Sequence, residues 1–537
     1  MPYMADKVKF TFNNKHLEAE AGQSVLEAVK QAGFEIPHYC YCPQLSIAGS
    51  CRLCAVEVGY RDKNGHVQMM APLVMSCQTP VREGMLVLSE TEKVRRHRRE
   101  VMELLLINHP LDCPVCDQAG ECFLQDYSFR YGPSVSRFQA DLKNKQPKKQ
   151  IGKNLLLYSD RCILCSRCVR FTREISGGAE LAVFNRGNQS EIDIFPGWAV
   201  NDKLAGNIVD ICPVGAMLDK QFLFKQRVWF LQPVESICPR CSRGCNIFLC
   251  TNKGIIWRLR PRRNDLVNGP WMCDEGRYGY KFVQAQERLN SCQVRQDGQM
   301  RQVEAKTARE QAGKLLEPYF NEHSALQAAV VISPAASCEE QFLLARWIRS
   351  RSEKVNLVMG PVFSGEKDET FKGGFTVSAE KVPNQRGAAE VLKHFGGAQM
   401  SFKKLADAVA EGKIEALWLQ GGYPWLDWCG PEAAQKLRQA KVLIVEDILC
   451  GTLTKSADVV LAGAAWAEKK GCFINDQNIC QEFNKALEPP GASVDDIQML
   501  GRLIDKRKGL SLEQIRRGMS DFIDLPARQE LAAELHN

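Results

Sequence analysis

Four groups of soft donors dominate the first half of this 537-residue chain. They are Cys40, Cys51, Cys54 and Cys77; His109, Cys113, Cys116 and Cys122; Cys162, Cys165, Cys168 and Cys212; and Cys238, Cys241, Cys245 and Cys273. Each contains a Cys-x-x-Cys step, which supplies two thiolates from one turn of chain, and a more distant donor that closes the site. Converging thiolates hold either an iron–sulfur core or zinc. Disulfide scaffolds also use clustered cysteines, but they are small and secreted. Here Met1–Phe10 carries Asp6, Lys7 and Lys9 and has no apolar run that reads as a secretory signal.

The spacings differ in how far they decide the metal. In the first group, C-x10-C-x2-C followed by Cys77 suits a [2Fe–2S] core with two thiolates on each iron, and Gly49 and Ser50 let the loop close around the sulfides. Cys42 is a spare there. The second group reads H-x3-C-x2-C-x5-C. A lone histidine is usually structural, but His109 stands at ligand spacing from three cysteines. On spacing alone, a zinc site of three cysteines and one histidine competes at this group. The third group, C-x2-C-x2-C with a distant Cys212-Pro213, carries the bacterial [4Fe–4S] ferredoxin signature and is the most specific motif in the chain. The fourth, C-x2-C-x3-C-x27-C, also fits a zinc ribbon; Arg240, Arg243, Arg258 and Arg260 lie near it and would favour a reduced cluster. Eight other cysteines, Cys42, Cys250, Cys292, Cys338, Cys429, Cys450, Cys472 and Cys480, are scattered and read mostly as small buried hydrophobes.

The elements that must position these donors are legible around them. Val8, Phe10 and Phe12 alternate as a strand, Asn13-Asn14 marks a turn, and Leu17 and Ala19 continue the alternation. Ser24 and Glu27 form a capping box for a helix over Val25–Gln31, which Gly33 ends. From Thr91 to Ile107 the pattern is helical, and its basic part, Lys93 to Arg99, reads as a solvated face because no aromatic residues are interleaved. Leu142 to Gln150 is a lysine-rich linker. Beyond about residue 280, short apolar runs (Ala329–Ile332, Val355–Met359, Ala416–Leu419, Val442–Val445, Val459–Leu461) alternate with helical patterns such as Glu339–Arg349 and Glu432–Ala440. That order predicts an α/β domain with a mainly parallel sheet, followed by a helical tail from about Val494. The length calls for three or four domains. A net charge of +7 is a weak pointer to any partner, and no window reaches the apolar length of a membrane helix.

Four segments carry a family resemblance: PHYCYCPQLSIAGSCRLCAVEV (37–58), NHPLDCPVCDQAGECFLQDYSFRYG (108–132), DRCILCSRCVRFTREISG (160–177) and LAGNIVDICPVGAM (204–217). They resemble the G subunits of bacterial NADH-quinone oxidoreductase, counterparts of the 75-kDa subunit of mitochondrial complex I. The resemblance implies one [2Fe–2S] cluster on Cys40, Cys51, Cys54 and Cys77, and a His-ligated [4Fe–4S] cluster on His109, Cys113, Cys116 and Cys122. It also implies a [4Fe–4S] cluster on Cys162, Cys165, Cys168 and Cys212, and an extra one off the main electron route on Cys238, Cys241, Cys245 and Cys273. ADVVLAGAAWAEKKGCFIN (457–475) resembles a segment of molybdopterin oxidoreductases. With about 260 residues after Cys273, that domain is expected to be a shortened, structural relative without molybdopterin. Three departures from the family stand out: Cys42 where histidine is expected, a longer Gly59–Val67 segment, and a shorter chain.

The implied fold is α+β and multidomain. It comprises an N-terminal β-grasp [2Fe–2S] ferredoxin-like domain (1–90), a [4Fe–4S] domain with one histidine and three cysteine ligands (91–150) and a ferredoxin-like [4Fe–4S] domain (151–230). An extra [4Fe–4S] domain (231–290) and a shortened α/β molybdopterin-oxidoreductase-like domain (291–537) follow. The implied role is electron transfer with no catalytic residue, from a flavin/NADH-binding subunit toward the [4Fe–4S] subunit leading to quinone. The implied place is the cytoplasmic face of the bacterial inner membrane, held through partner subunits, with no nucleic acid and no membrane span. The sequence has no G-x-G-x-x-G after a strand, so NADH is expected to bind elsewhere. A cluster subunit of an NAD-linked hydrogenase or formate dehydrogenase is the rival. Such subunits usually stop near the third group, whereas this chain continues; against a hydrogenase or formate dehydrogenase in its own right, residues 281–537 lack a cysteine-rich active-site region and the length of a full molybdenum domain. A zinc-stabilised scaffold is the second rival.

Overall fold

The computed structural model describes residues 7–61, 64–138, 148–321, 323–365, 367–397 and 400–525. It divides into two units, residues 1–230 with 371–374 and residues 231–370 with 375–537. Most of the expected lysine-rich linker, 142–147, lies outside the described residues. No helix among the described residues is long and apolar enough to cross a membrane.

In the first unit, the alternating apolar residues form β1 (Lys7–Phe12) and β2 (Lys15–Glu20), antiparallel, with Phe10 opposite Leu17. Asn13 and Asn14 turn the chain between them at φ of 44° and 67°, a backbone region that asparagine tolerates. Helix α1 (Val25–Gln31) starts at Ser24, whose hydroxyl accepts from the Glu27 N–H at 3.2 Å. Only this half of the expected capping box forms, because the Glu27 carboxylate faces the Tyr41 hydroxyl. Strands β3 (Ala55–Arg61), β4 (Val67–Met69), β5 (Val74–Met75) and β6 (Met85–Leu88) complete a sheet of order β2-β1-β6-β3-β4, with β5 on β3. β1 and β6 are parallel and the other pairs antiparallel. This is the β-grasp arrangement. Its core of Phe10, Phe12, Val25, Leu26, Val56 and Val87 includes Cys54 and Cys77, so two donors are fixed by the packing of the sheet.

Helix α2 (Glu92–Leu106) begins at Thr91, whose hydroxyl accepts from the Val94 N–H. Arg95, Arg96 and Arg99 face solvent, as the sequence predicts. Arg98 departs from that reading. It shares the i, i+4 stripe of Val94 and Met102, is 1% exposed, binds Glu90 at 3.1 Å and lies 5.3 Å from the Tyr131 ring centroid. Helix α3 (Phe123–Tyr131) follows the second donor group. The third group is framed by strands Lys149–Gln150, Leu155–Leu157 and Met217–Asp219, which form one antiparallel sheet, and by short helices Arg167–Phe171 and Asn207–Ile211.

In the second unit, strands Gln232–Ile237, Asn246–Asn252 and Ile255–Pro261 make an antiparallel sheet. The α/β region contains a seven-stranded sheet. Five of its strands, in spatial order Asn356–Met359, Ala328–Ile332, Ala416–Gln420, Val442–Asp447 and Val459–Ala462, are parallel and match the five apolar runs. Numbered along the chain that order is 2-1-3-4-5, a doubly wound arrangement. The antiparallel hairpin Cys292–Gln296 and Gln299–Val303 extends one edge; its polar, exposed outer strand has no apolar run to announce it. Helix Cys338–Arg349 starts in a full capping box of Ser337 and Glu340, and helix Pro431–Leu437 opens on its proline. The expected helical tail is present as Asp496–Ile504 and Leu512–Met519; residues 526–537 lie outside the described residues.

A small pocket opens at the carboxyl ends of the parallel strands, where open α/β sheets place ligands, lined among others by Gln420, Gly422, Glu446 and Asp447. In its lining, the carboxylates of Glu340, Glu446 and Asp496 are buried with atoms within 4.8 Å of one another. Lys469 already occupies the cationic place among them, with Nζ 2.5 Å from Glu340 and 3.0 Å from Asp496. Burial pushes Glu446 well above the carboxylate range and Asp496 up to about 7, against the pull of Lys469.

Candidate metal centres

The first group forms two sulfur pairs. Cys54 Sγ lies 3.4 Å from Cys77 Sγ, and the Cys40 and Cys51 thiols hydrogen-bond each other. In each pair one thiol is drawn down and its partner pushed up. Cys40 falls to about 5 through Cys51 and then the N–H and hydroxyl of Ser50, and Cys54 falls to about 7 through Cys77 and then Ser76. The Tyr39 N–H reaches Cys51 Sγ at 3.5 Å. Such N–H donors stabilise anionic sulfur, the ligand form. The sharp turn at Gly49 has φ of +62°, and a Cβ there would lie 2.3 Å from the Gln78 side chain. The two-and-two pairing fits two thiolates on each of two irons.

The second group surrounds an open pocket lined by His109, Cys113, Cys116, Cys122, Arg161 and Gly215, among others. His109 is held below its ordinary value by burial and by Arg161, which keeps the imidazole neutral as a metal ligand requires. Burial pushes Cys122 up to about 12 and raises Cys116, while Arg161 pulls the latter down. Arg161 is 3% exposed, binds Asp112 through Nε and Nη2 at 3.3 and 3.1 Å, and has no protein partner at Nη1. A Cβ at Gly215 would stand 2.2 Å from Cys116 Sγ, so only glycine leaves that sulfur its place. A pocket ringed by four donors, with an unused guanidinium N–H on its wall, fits an anionic cluster.

In the third group Cys162, Cys165 and Cys168 wrap round the start of helix Arg167–Phe171. Leu164 and Ser166 take positive φ of 54° and 58° to make that turn. The Leu164 N–H faces Cys162 Sγ at 3.4 Å. Burial raises Cys165 to about 11 against the pull of Arg167 and Arg170, and raises Cys168 further in the repulsion of Cys165, Cys162 and Cys212. Backbone N–H groups of Val214, Met217 and Ala216 stabilise the Cys212 anion. All four thiols therefore sense one another, as a shared site requires.

Three donors of the fourth group, Cys238, Cys241 and Cys245, sit in the loop of the first hairpin of the second unit. Cys238 follows strand Gln232–Ile237, its N–H donates to the Cys245 carbonyl at 2.8 Å, and Cys273 caps helix Asp274–Arg277. All four sulfurs belong to residues no more than 5% exposed. Burial and mutual repulsion raise Cys245 and Cys273 well above the thiol range, while Arg243 opposes the shift at Cys245. A Cβ at Gly276 would lie 2.8 Å from Cys238 Sγ. Of the four arginines near this group in sequence, Arg240 and Arg243 act on its thiols and Lys381 joins them. Arg258 and Arg260 lie on strand Ile255–Pro261, opposite Cys250 and Phe248.

Two arrangements escaped the sequence reading. One small core holds Tyr39, Cys40, Leu53, Met102, Cys122, Leu124, Tyr127, Cys165, Val214 and Ala216, so a donor from each of the first three groups packs in a single apolar cluster. The other concerns three cysteines read as scattered. Cys472 hydrogen-bonds both Cys338 and Cys480, and the Cys472 N–H binds Glu339 at 2.9 Å. Separations of over a hundred residues between Cys338 and the other two left no local pattern to find.

Five family models match the chain. They are a 2Fe-2S iron-sulfur cluster binding domain (5–92), an NADH-ubiquinone oxidoreductase-G iron-sulfur binding region (98–137) and an NADH-quinone oxidoreductase subunit 3, ferredoxin-like domain (152–218). A Molybdopterin oxidoreductase Fe4S4 domain (231–285) and a Molybdopterin oxidoreductase domain (369–506) follow. The chain is 39% identical over 296 residues to the G subunit of the NADH-quinone oxidoreductase of Rickettsia prowazekii (strain Madrid E), covering 55% of this chain and 42% of the relative. It is 40% identical over 287 residues to the NADH-ubiquinone oxidoreductase 75 kDa subunit of Reclinomonas americana, covering 53% and 40%. The matched region thus spans about two-fifths of those relatives' length. A solved NAD+-reducing [NiFe]-hydrogenase in the H2-reduced state matches at 32% identity over 41% of this chain and 91% of that one, with a TM-score of 0.35, too low to carry an argument. The chain is therefore similar to the G subunits of complex I and carries 2Fe-2S and 4Fe-4S binding domains.

Proposed function

We propose that this chain is the iron–sulfur electron-transfer subunit of an NADH-quinone oxidoreductase, carrying electrons from a flavin subunit toward the quinone-reducing subunits. One observation carries the reading: Cys40, Cys122 and Cys165 pack in one apolar core, so a donor from each of three groups meets in one buried cluster. A buried, low-dielectric path between redox sites is what an electron wire needs, because small reorganisation accompanies each transfer there. When bound, the clusters supply one-electron storage at each site.

Cys40, Cys51, Cys54 and Cys77 would hold a [2Fe–2S] cluster. His109, Cys113, Cys116 and Cys122, then Cys162, Cys165, Cys168 and Cys212, and finally Cys238, Cys241, Cys245 and Cys273 would each hold a [4Fe–4S] cluster. The chain's own residues supply thiolates, N–H donors to sulfur, the buried cations Arg161, Arg167 and Arg170, and exclusion of water. Domain boundaries at 1–90, 91–150, 151–230, 231–290 and 291–537 go with this assignment. The last domain serves as structure without a pterin. The partners are the flavin/NADH-binding subunit and the [4Fe–4S] subunit leading to quinone, and the place is the cytoplasmic face of the bacterial inner membrane.

Counting iron, acid-labile sulfide, zinc and molybdenum in protein purified without oxygen tests the assignment. About fourteen irons per chain, with matching sulfide and no molybdenum, is the expected result. Stoichiometric zinc in place of iron would overturn it, and about ten irons would remove one of the four-iron sites.

A further inference from the structure

Helix Arg167–Phe171 and the turn after it do more than carry Cys168. Arg167, Arg170 and Glu174 stand at i, i+3 and i+7, and all three hold the loop that follows Cys40. Arg167 donates through Nη2 to the Tyr41 carbonyl at 2.6 Å and through Nη1 to the Ile211 carbonyl at 3.2 Å, one residue before Cys212. Arg170 donates through Nη2 to the carbonyls of both Cys40, at 2.5 Å, and Cys165, at 3.2 Å, and through Nη1 to the Ser46 carbonyl. Glu174 accepts from the Ser46 N–H at 2.8 Å and the Ser46 hydroxyl at 2.5 Å. Arg167 is 7% and Arg170 9% exposed, so both charges are withdrawn from solvent screening.

One guanidinium thus binds the backbone of a donor residue from the first group and of a donor residue from the third. A planar, permanently charged fork is the side chain that can do this; an ammonium has no such fixed geometry. Each site, once filled by a cluster on four thiolates, becomes more negative by one charge when it accepts an electron. A buried cation beside both favours the reduced state of both.

We infer that Arg170, supported by Arg167 and Glu174, is a positioning residue that locks the first and third sites into one unit and raises the reduction potentials of both together. The inference rests on the cluster assignment above.

The test is a reductive titration of the anaerobically purified full chain, followed by EPR, in wild type, Arg170→Gln and Arg170→Lys. In Arg170→Gln the reduced-to-oxidised ratio of both the [2Fe–2S] signal and the third-site signal falls about tenfold at a fixed potential, which is 59 mV for a one-electron couple. The second- and fourth-site signals stay in place. Arg170→Lys, which keeps the cation, recovers most of both shifts. A shift of only one signal, of neither, or an equal loss in the lysine variant would overturn the inference. Should Arg170→Gln fail to fold, Glu174→Gln releases Ser46 while leaving the buried cation. It is expected to change the g-values of the [2Fe–2S] signal, and an unchanged spectrum would sink the clamp. A wild-type chain without a [2Fe–2S] signal would instead defeat the cluster assignment itself.

Discussion

Gly215 offers the sharpest test of how tightly the second site is built. A Cβ added there would lie 2.2 Å from Cys116 Sγ. Ordinary heavy-atom contact is about 3.5–4.0 Å, so sulfur or loop must retreat by roughly 1.3 Å or more. Metal sites tolerate ligand displacements of only about 0.2 Å. The loop cannot yield freely, because Pro213 and Val214 precede the glycine and the Pro213 carbonyl accepts from the Phe123 N–H at 3.2 Å. Gly215→Ala is therefore expected to lose the second cluster, about four irons per chain, with the [2Fe–2S] signal retained. Iron and sulfide analysis with EPR reads this directly. Gly313→Ala is the control: it sits within helix Ala305–Leu316 with nothing within 4 Å of the added carbon. It should keep all iron and gain up to about 1 kcal/mol of helix stability. Full iron and an unchanged second-site signal in Gly215→Ala would refute the reasoning.

Other consequences follow from the same packing. Gly276→Ala, with a milder 2.8 Å approach to Cys238 Sγ, should lower occupancy of the fourth site and leave the other three intact, as metal analysis of the variant would show. Lys469→Met strands the buried carboxylates of Glu340 and Asp496 and should destabilise the second unit by about 3–5 kcal/mol, read as a lower denaturant midpoint. Ser337→Ala removes the capping box of helix Cys338–Arg349 and should cost about 1 kcal/mol in the same assay. Asp496 is raised from 3.8 to about 7, so the folded state holds its proton more tightly than the unfolded state. Its contribution is full below about pH 4 and is lost as pH rises through about 7; the denaturant midpoint should fall across that window, and a rising midpoint would contradict the burial argument.

The sequence was most legible where chemistry is local. Cys-x-x-Cys steps, the Cys212-Pro213 signature and the apolar runs of the parallel strands need only neighbours in the chain to be read. What was hidden depends on the third dimension. The antiparallel hairpin at the sheet edge has a polar, exposed outer strand, so no alternation marks it. Arg98 belongs to a charged run but shares the buried stripe of α2 with Val94 and Met102. The contact of Cys338 with Cys472 and the Arg170 bridge from Cys40 to Cys165 join segments more than a hundred residues apart in the chain. Gly215 looks like an ordinary loop glycine until Cys116, from another loop, is seen against it.

In the proposed function, electrons pass through the first, second and third sites in the joined core. The most direct measurement is rapid-freeze EPR of the respiratory assembly isolated with this chain in place, mixed with NADH and a quinone, compared with the same assembly carrying Cys165→Ser. The [2Fe–2S] and His-site signals of the wild type should appear within one turnover, and quinone reduction should stop in Cys165→Ser. Undiminished quinone reduction in that variant, or clusters that stay oxidised while NADH is consumed, would contradict it.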